Sequence, residues 1–165
     1  MDIQRICHHF AMTQGRVNRS FSRPTLGAIE RAIKASEAAH MGEIRFVVEG
    51  ALDTAPLFAG QSARERALEL FSKLRIWDTE HNSGVLIYLL LADRQVEIVA
   101  DRGVHAKAGT RAWATICAAM ESAFKKSKFE DGVLQGIHAV TRQLTEHFPA
   151  GAGNRNELPD KALVL

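Results

Sequence analysis

The chain has 165 residues, 46% hydrophobic and 24% charged, which is the composition of one folded domain and excludes disordered, collagen-like and coiled-coil readings. Twenty-one Lys and Arg against 19 Asp and Glu leave a net charge of +2, too little to argue for nucleic acid as a partner. The longest apolar run, residues 85–92, falls well short of the ~20 residues that span a bilayer as a helix, so no transmembrane segment is expected.

Residues 1–24 form a basic N-terminal arm, with Arg5, Arg16, Arg19 and Arg23 against one acid, Asp2; it reads as irregular or shortly helical and docked by Phe10 and Phe21. A helix starts at Pro24-Thr25, buries Leu26, Ile29 and Ile33 at helical spacing, and stops at Gly42. Ile44, Phe46 and Val48 then alternate with Arg45, Val47 and Glu49 in a first strand. Residues 50–60 read as loop. Ser62, with Glu65 three residues on, opens a second helix by a capping box, and Ala67, Leu70 and Leu74 lie on its buried stripe.

A polar loop, residues 76–84, leads into the run 85–91, which has no polar face and suits a central strand covered by helices on both sides. Asp93-Arg94 turns the chain into a third strand carrying Val96, Ile98 and Ala100. Trp113, Ile116, Met120 and Phe124 mark a third helix; Val133, Ile137, Val140 and Leu144 mark a fourth, ended by Pro149. Residues 149–165 read as an extended tail. This order predicts an α/β fold, a three-layer α/β/α sandwich over residues 25–148 around a small mixed sheet. The first two strands are parallel through a right-handed crossover, and the second and third form an antiparallel hairpin.

Chemistry follows from the hairpin. A turn centred near Asp93 sets Asp101 opposite Val85 and Arg102 opposite Gly84, beside the loop 78–83. Asp78, Glu80, Asn82 and Asp101 then share one rim, where carboxylates and an amide oxygen suit a hard cation such as calcium or magnesium, and the cation relieves their mutual repulsion. The same residues also read as turn formers, Asp78 and Asn82 bonding their own backbone and Arg102 pairing with Asp78 or Asp101. His81 and His105 flank this rim as candidate acid and base.

The opposite rim, at the carboxyl ends of the parallel strands, carries Glu49, Asp53, Asp93 and Arg94; open α/β sheets bind ligands at such ends, although Asp93-Arg94 also serves as an ordinary hairpin turn. His8-His9 beside Cys7 lacks a partner pair at ligand spacing and reads as surface. The two cysteines, Cys7 and Cys117, are far apart and suit a reduced, cytoplasmic compartment. There is no glycine-rich phosphate loop.

Taken together, residues 43–49, 77–88 and 96–103 resemble the TPM domain family, known for a thylakoid-lumen acid phosphatase and photosystem II repair factors. The resemblance covers about residues 25–148, with the loop-plus-hairpin block its most specific part, and it implies an α/β/α sandwich around a mixed sheet. Some members are reported as acid phosphatases, some bind calcium, and others act by protein contact. Similar bacterial proteins often carry a signal peptide and a C-terminal anchor; this sequence resembles the family's short soluble branch.

By position, residues 78–82 and Asp101-Arg102 match the family's acidic loop and following hairpin. The expectation is a divalent-cation-binding, phosphatase-like domain that hydrolyses phosphomonoesters. Asp78, Glu80, Asn82 and Asp101 would hold calcium or magnesium, Arg102 would meet a phosphate oxygen with its planar fork, and His81 or His105 would carry the proton. The alternative is a non-catalytic interaction module whose basic arm docks a membrane-associated partner, with the acidic rim structural or merely holding calcium.

Overall fold

The computed structural model describes residues 2–151 and 156–165. Along the described chain the order is α1 (Ile3–Ala11), α2 (Gln14–Ser20), α3 (Arg23–Ser36), β1 (Glu43–Glu49), α4 (Thr54–Phe58), α5 (Ala63–Lys73), β2 (Gly84–Leu90), β3 (Gln95–Ala100), α6 (Arg102–Lys125), α7 (Phe129–His147) and β4 (Leu163–Val164). The sheet runs β3-β2-β1-β4, with β1 parallel to both β2 and β4, and β2 antiparallel to β3.

Every residue of β2 is buried, which follows from its uniformly apolar sequence and its place between two paired strands. Alternate side chains sort to two cores. Phe46, Val48, Ile87, Leu89 and Ile98 pack with Ile29, Ile33, Met120 and Val140 under α3, α6 and α7. Val47, Leu86, Tyr88, Leu90 and Val99 pack with Leu57, Ala67 and Leu70 under α4 and α5. A strand's two-residue period, meeting helices on either side, therefore builds the three layers.

The hairpin register differs from the expected one by a single residue: Val85 pairs with Ala100, not Asp101. The connection spans four residues between the paired Leu90 and Gln95, so its centre falls between residues rather than on Asp93. Arg94, at φ 51° and with its N–H on Leu91 O, closes that turn. The observed register sets Leu89 beside Val96 and Ile87 beside Ile98, all four in the same core; a one-residue slip would send each set to the wrong face.

Five further features refine the sequence expectations or depart from them. The arm is two helices, capped by Asp2 and Thr13, and docks through Val17 and Phe21, while Phe10 stays 62% exposed. The third helix begins directly after β3, with Asp101 as its N-cap, and is interrupted at Gly109 (φ 77°). The first large helix ends at Ser36, short of Gly42, and the loop 50–60 contains α4. The tail adds β4, pairing Leu163 and Val164 with Val47 and Val48; residues 152–155 of that expected tail lie outside the described residues.

The free edge of β3 is blunted: Val96 N–H donates to Glu121, and Arg64 donates to Ile98 O. No helix among the described residues is long and apolar enough to cross a membrane.

Candidate functional site

At the amino ends of β1 and β2, Gly84 lies under the exit of α5; a Cβ there would sit 2.0 Å from Ile76 O, so the strand starts only with glycine. The following loop is tied down by Ser83 N–H on Thr79 Oγ1 at 3.0 Å, Ser83 Oγ on Met41 O at 3.2 Å and Asn82 N–H on Thr79 O at 3.2 Å. Asn82 takes a left-handed conformation, φ 50°, which asparagine tolerates better than most residues.

Across from this loop, Asp101 is 6% exposed. Its N–H donates to Gly84 O at 2.8 Å, and its Oδ1 accepts Arg102 N–H at 2.6 Å; its Oδ2 is buried with no hydrogen-bond partner among the described residues. Two loop carbonyls press against the first turn of α6, since a Cβ on Gly103 would lie 2.7 Å from Asn82 O and 3.1 Å from His81 O.

Asp101 and the backbone of residues 81–82 are therefore brought together. The side chains of Asp78, Glu80, His81 and Asn82 are exposed, and Arg102 is exposed at the first position of α6. Arg102 forms no ion pair with Asp78 or Asp101 among the described residues, and the turn at Asp78 is closed by the backbone, its N–H donating to Arg75 O. His105 lines a cavity over the β3 edge with Glu97 and Trp113. Among the described residues no three His, Cys, Asp or Glu side chains converge as metal ligands.

Sequence reasoning missed the tail's part in this rim. Glu157 accepts Glu80 N–H at 3.2 Å, and the buried Glu43 accepts Glu157 N–H and Leu158 N–H at 3.2 Å each. Burial pushes the Glu43 carboxyl above the usual carboxylate range. Burial, then the hydrogen bond and charge of Asp160, hold Glu37 up at about 8, while Asn156 Nδ2 donates to both acids. No local pattern signals these contacts, because the tail meets Glu80 77 residues earlier and Glu43 and Glu37 more than a hundred residues earlier.

At the carboxyl-end rim the acids Glu49 and Asp93 are held in charge pairs. Arg66 forks onto the buried Glu49 at 2.9 and 2.8 Å, and Tyr88 O–H donates to Glu49 Oε2 at 2.7 Å. That pairing raises Arg66, while burial followed by the bond to Glu49 raises Tyr88. Lys73, Gln61 and Arg66 together draw Glu69 down to about 2. Asp53 is the exposed N-cap of α4, without a side-chain cap bond.

Asp93 gives Oδ1 to His9 Nε2 at 2.9 Å and Oδ2 to Arg5 Nε at 3.0 Å. Because Leu52 N–H donates to His9 Nδ1 at 3.1 Å, the His9 ring proton sits on Nε2 and points at Asp93. His9 is 3% exposed, so the surface reading of the histidine pair holds for His8 only. The available signal was the spacing of Arg5 and His9, four apart on one face of α1. Neither cysteine offers a nucleophile in this rim: Cys7 is exposed on the arm, and burial pushes the Cys117 thiol up to about 12.

An open mixed sheet with helices on both faces defines an α/β sandwich. Residues 18–143 match the family model of the TPM domain, and the chain belongs to the TPM domain family. No curated protein matches it. Among solved structures it is similar to the BA42 protein of the psychrophilic bacterium Bizionia argentinensis, at 27% identity and a TM-score of 0.77, covering 87% of this chain and 94% of that one. The N-terminal domain of a protein from P. gingivalis shares the fold at 18% identity and a TM-score of 0.64, covering 79% of this chain and 82% of that one.

Proposed function

We propose that the chain is a divalent-cation-binding, phosphatase-like domain that acts on phosphomonoesters at its amino-end rim. The observation that carries this reading is the Asp101 carboxylate, buried with Oδ2 unpartnered among the described residues, at the helix start where Gly103 admits the carbonyls of residues 81 and 82. A lone buried carboxylate oxygen is costly, and hard cations take mixed carboxylate and carbonyl oxygens. Asp101 and the carbonyls of residues 81–82 would hold calcium or magnesium, joined by the exposed side chains of Asp78, Glu80 and Asn82. When bound, such an ion supplies Lewis acidity and charge for phosphoryl chemistry.

The remaining roles fall to exposed groups. Arg102, next to the cap, binds a phosphate oxygen with its planar fork, at a helix end whose dipole favours anions. His81 in the loop, or His105 one turn into α6, exchanges the proton. The test is hydrolysis of p-nitrophenyl phosphate with calcium, magnesium or chelator, alongside thermal melts. Cation-dependent turnover and a raised Tm are expected. Background rates in every condition overturn the enzyme, and an unmoved Tm overturns the cation.

A second reading, an interaction module for a membrane-associated protein, draws on Ile3 and Phe10, which lie 72% and 62% exposed on α1 within the basic arm. Because His9, Val17 and Phe21 build that arm into the core, deletion would test folding rather than docking. Phe10→Ser leaves the core intact; lost recovery of a partner from solubilised membranes, with cation binding but no turnover, favours this reading.

A further inference from the structure

We propose that the cavity at the carboxyl-end rim is a second site, which binds a small molecule through its phosphate group. The cavity holds about 430 Å³, within the range of small-molecule pockets. It is lined by three arginines brought from two distant segments, Arg16 and Arg19 on α2 and Arg94 in the β2–β3 turn. None of the three forms an ion pair among the described residues. Asp93 shares the adjoining cavity wall with Arg16 and Arg94, but both of its oxygens are engaged by His9 and Arg5. Three like charges around one concavity repel, and an anion bound among them removes that cost.

The rest of the lining specifies the anion further. Ser20 and Ser127 bring hydroxyls that no described group engages, so the cavity offers guanidinium forks and neutral donors together, the set that suits phosphate oxygens. Phe129 adds an apolar wall, which fits a ligand with an apolar body rather than a bare ion. Arg94 and Ser127 both hold left-handed backbone, at φ 51° and 58°, where non-glycine residues are uncommon. The cavity also lies past the carboxyl end of β2, where open α/β sheets take ligands. The seven residues of β2 separate it from the amino-end rim by about 20 Å, so the two sites are independent.

The test is titration of the full chain with phenyl phosphate, inorganic phosphate and vesicles containing phosphatidate, followed by calorimetry and by NMR of the arginine side chains. Phenyl phosphate is expected to bind and to shift Arg16, Arg19 and Arg94. The double variant Arg16→Gln/Arg94→Asn, both sites exposed and Asn accepting the left-handed turn, should keep its Tm and lose at least about tenfold in affinity. Arg142→Gln on α7 should bind as the parent does, and so should Asp101→Asn, whose loss of cation binding would leave this site untouched. Competition by phosphatidate vesicles alone assigns the phosphate to a lipid headgroup; competition by inorganic phosphate assigns it to a soluble ester. No binding, equal affinity in the double variant, or loss of binding in Asp101→Asn overturns the proposal.

Discussion

At the carboxyl end of β2, Asp93 gives one oxygen to His9 and the other to Arg5, and Glu49 is held by Arg66 and Tyr88. At the amino end, Asp101 is buried about as deeply as Glu49, yet one of its oxygens has no partner among the described residues. Residue type is thus a poor guide to role. A carboxylate whose lone pairs are all spent is part of the scaffold, and its removal costs stability. One that keeps a lone pair in a dry place is held there by the fold around it, and its removal should cost a ligand. The arginines show the converse: Arg5 and Arg66 are consumed in pairs, while Arg16, Arg19 and Arg94 line open space.

That contrast breaks most visibly at Arg66. Arg66→Met strands the Glu49 carboxylate in the core with only a tyrosine hydroxyl, and a loss of about 3–5 kcal/mol by urea denaturation is expected. A loss under 1 kcal/mol would show that Glu49 takes up a proton easily and that the pairing is no scaffold. Asp93→Ala should cost about 2 kcal/mol, because Arg5 and His9 lose charge-assisted bonds. Limited proteolysis should then cut within residues 2–20, and an uncut arm would place its anchorage in Val17 and Phe21 alone.

A pH effect sharpens the amino-end side. Glu37 is held at about 8 against an ordinary 4.5, so the folded state keeps a proton that the unfolded chain releases. That contribution is complete below about 4.5 and is lost as pH rises through about 8, so Tm should fall across this window. Glu37→Gln should flatten the fall, and an unchanged slope would assign it to Glu43 or another group. The smallest stability effect belongs to Asp101→Asn. Asparagine caps helices about as well as aspartate, so stability should stay within about 0.5 kcal/mol while any rise of Tm with calcium or magnesium disappears. A rise that persists would move the cation away from Asp101.

The sequence alone determined what depends on near neighbours. Helix spacing in Ile29 and Ile33, the Ser62–Glu65 capping box and the unbroken apolar run of β2 announced their elements, because backbone hydrogen bonding and one buried face are local demands. The order of those elements then sufficed for a mixed sheet with one parallel and one antiparallel neighbour of β2. Tertiary structure alone decided what depends on two segments meeting. The hairpin register turned on whether the connection held an odd or even number of residues, which hydrophobic alternation narrows but does not count. The burial of His9, the pairing of β4 with β1, and the clamp of Glu43 on the tail join residues whose sequence neighbours carry no trace of the partner. The same holds for both rims: alternation places a charge at a strand end, but only packing decides whether another charge arrives to neutralise it.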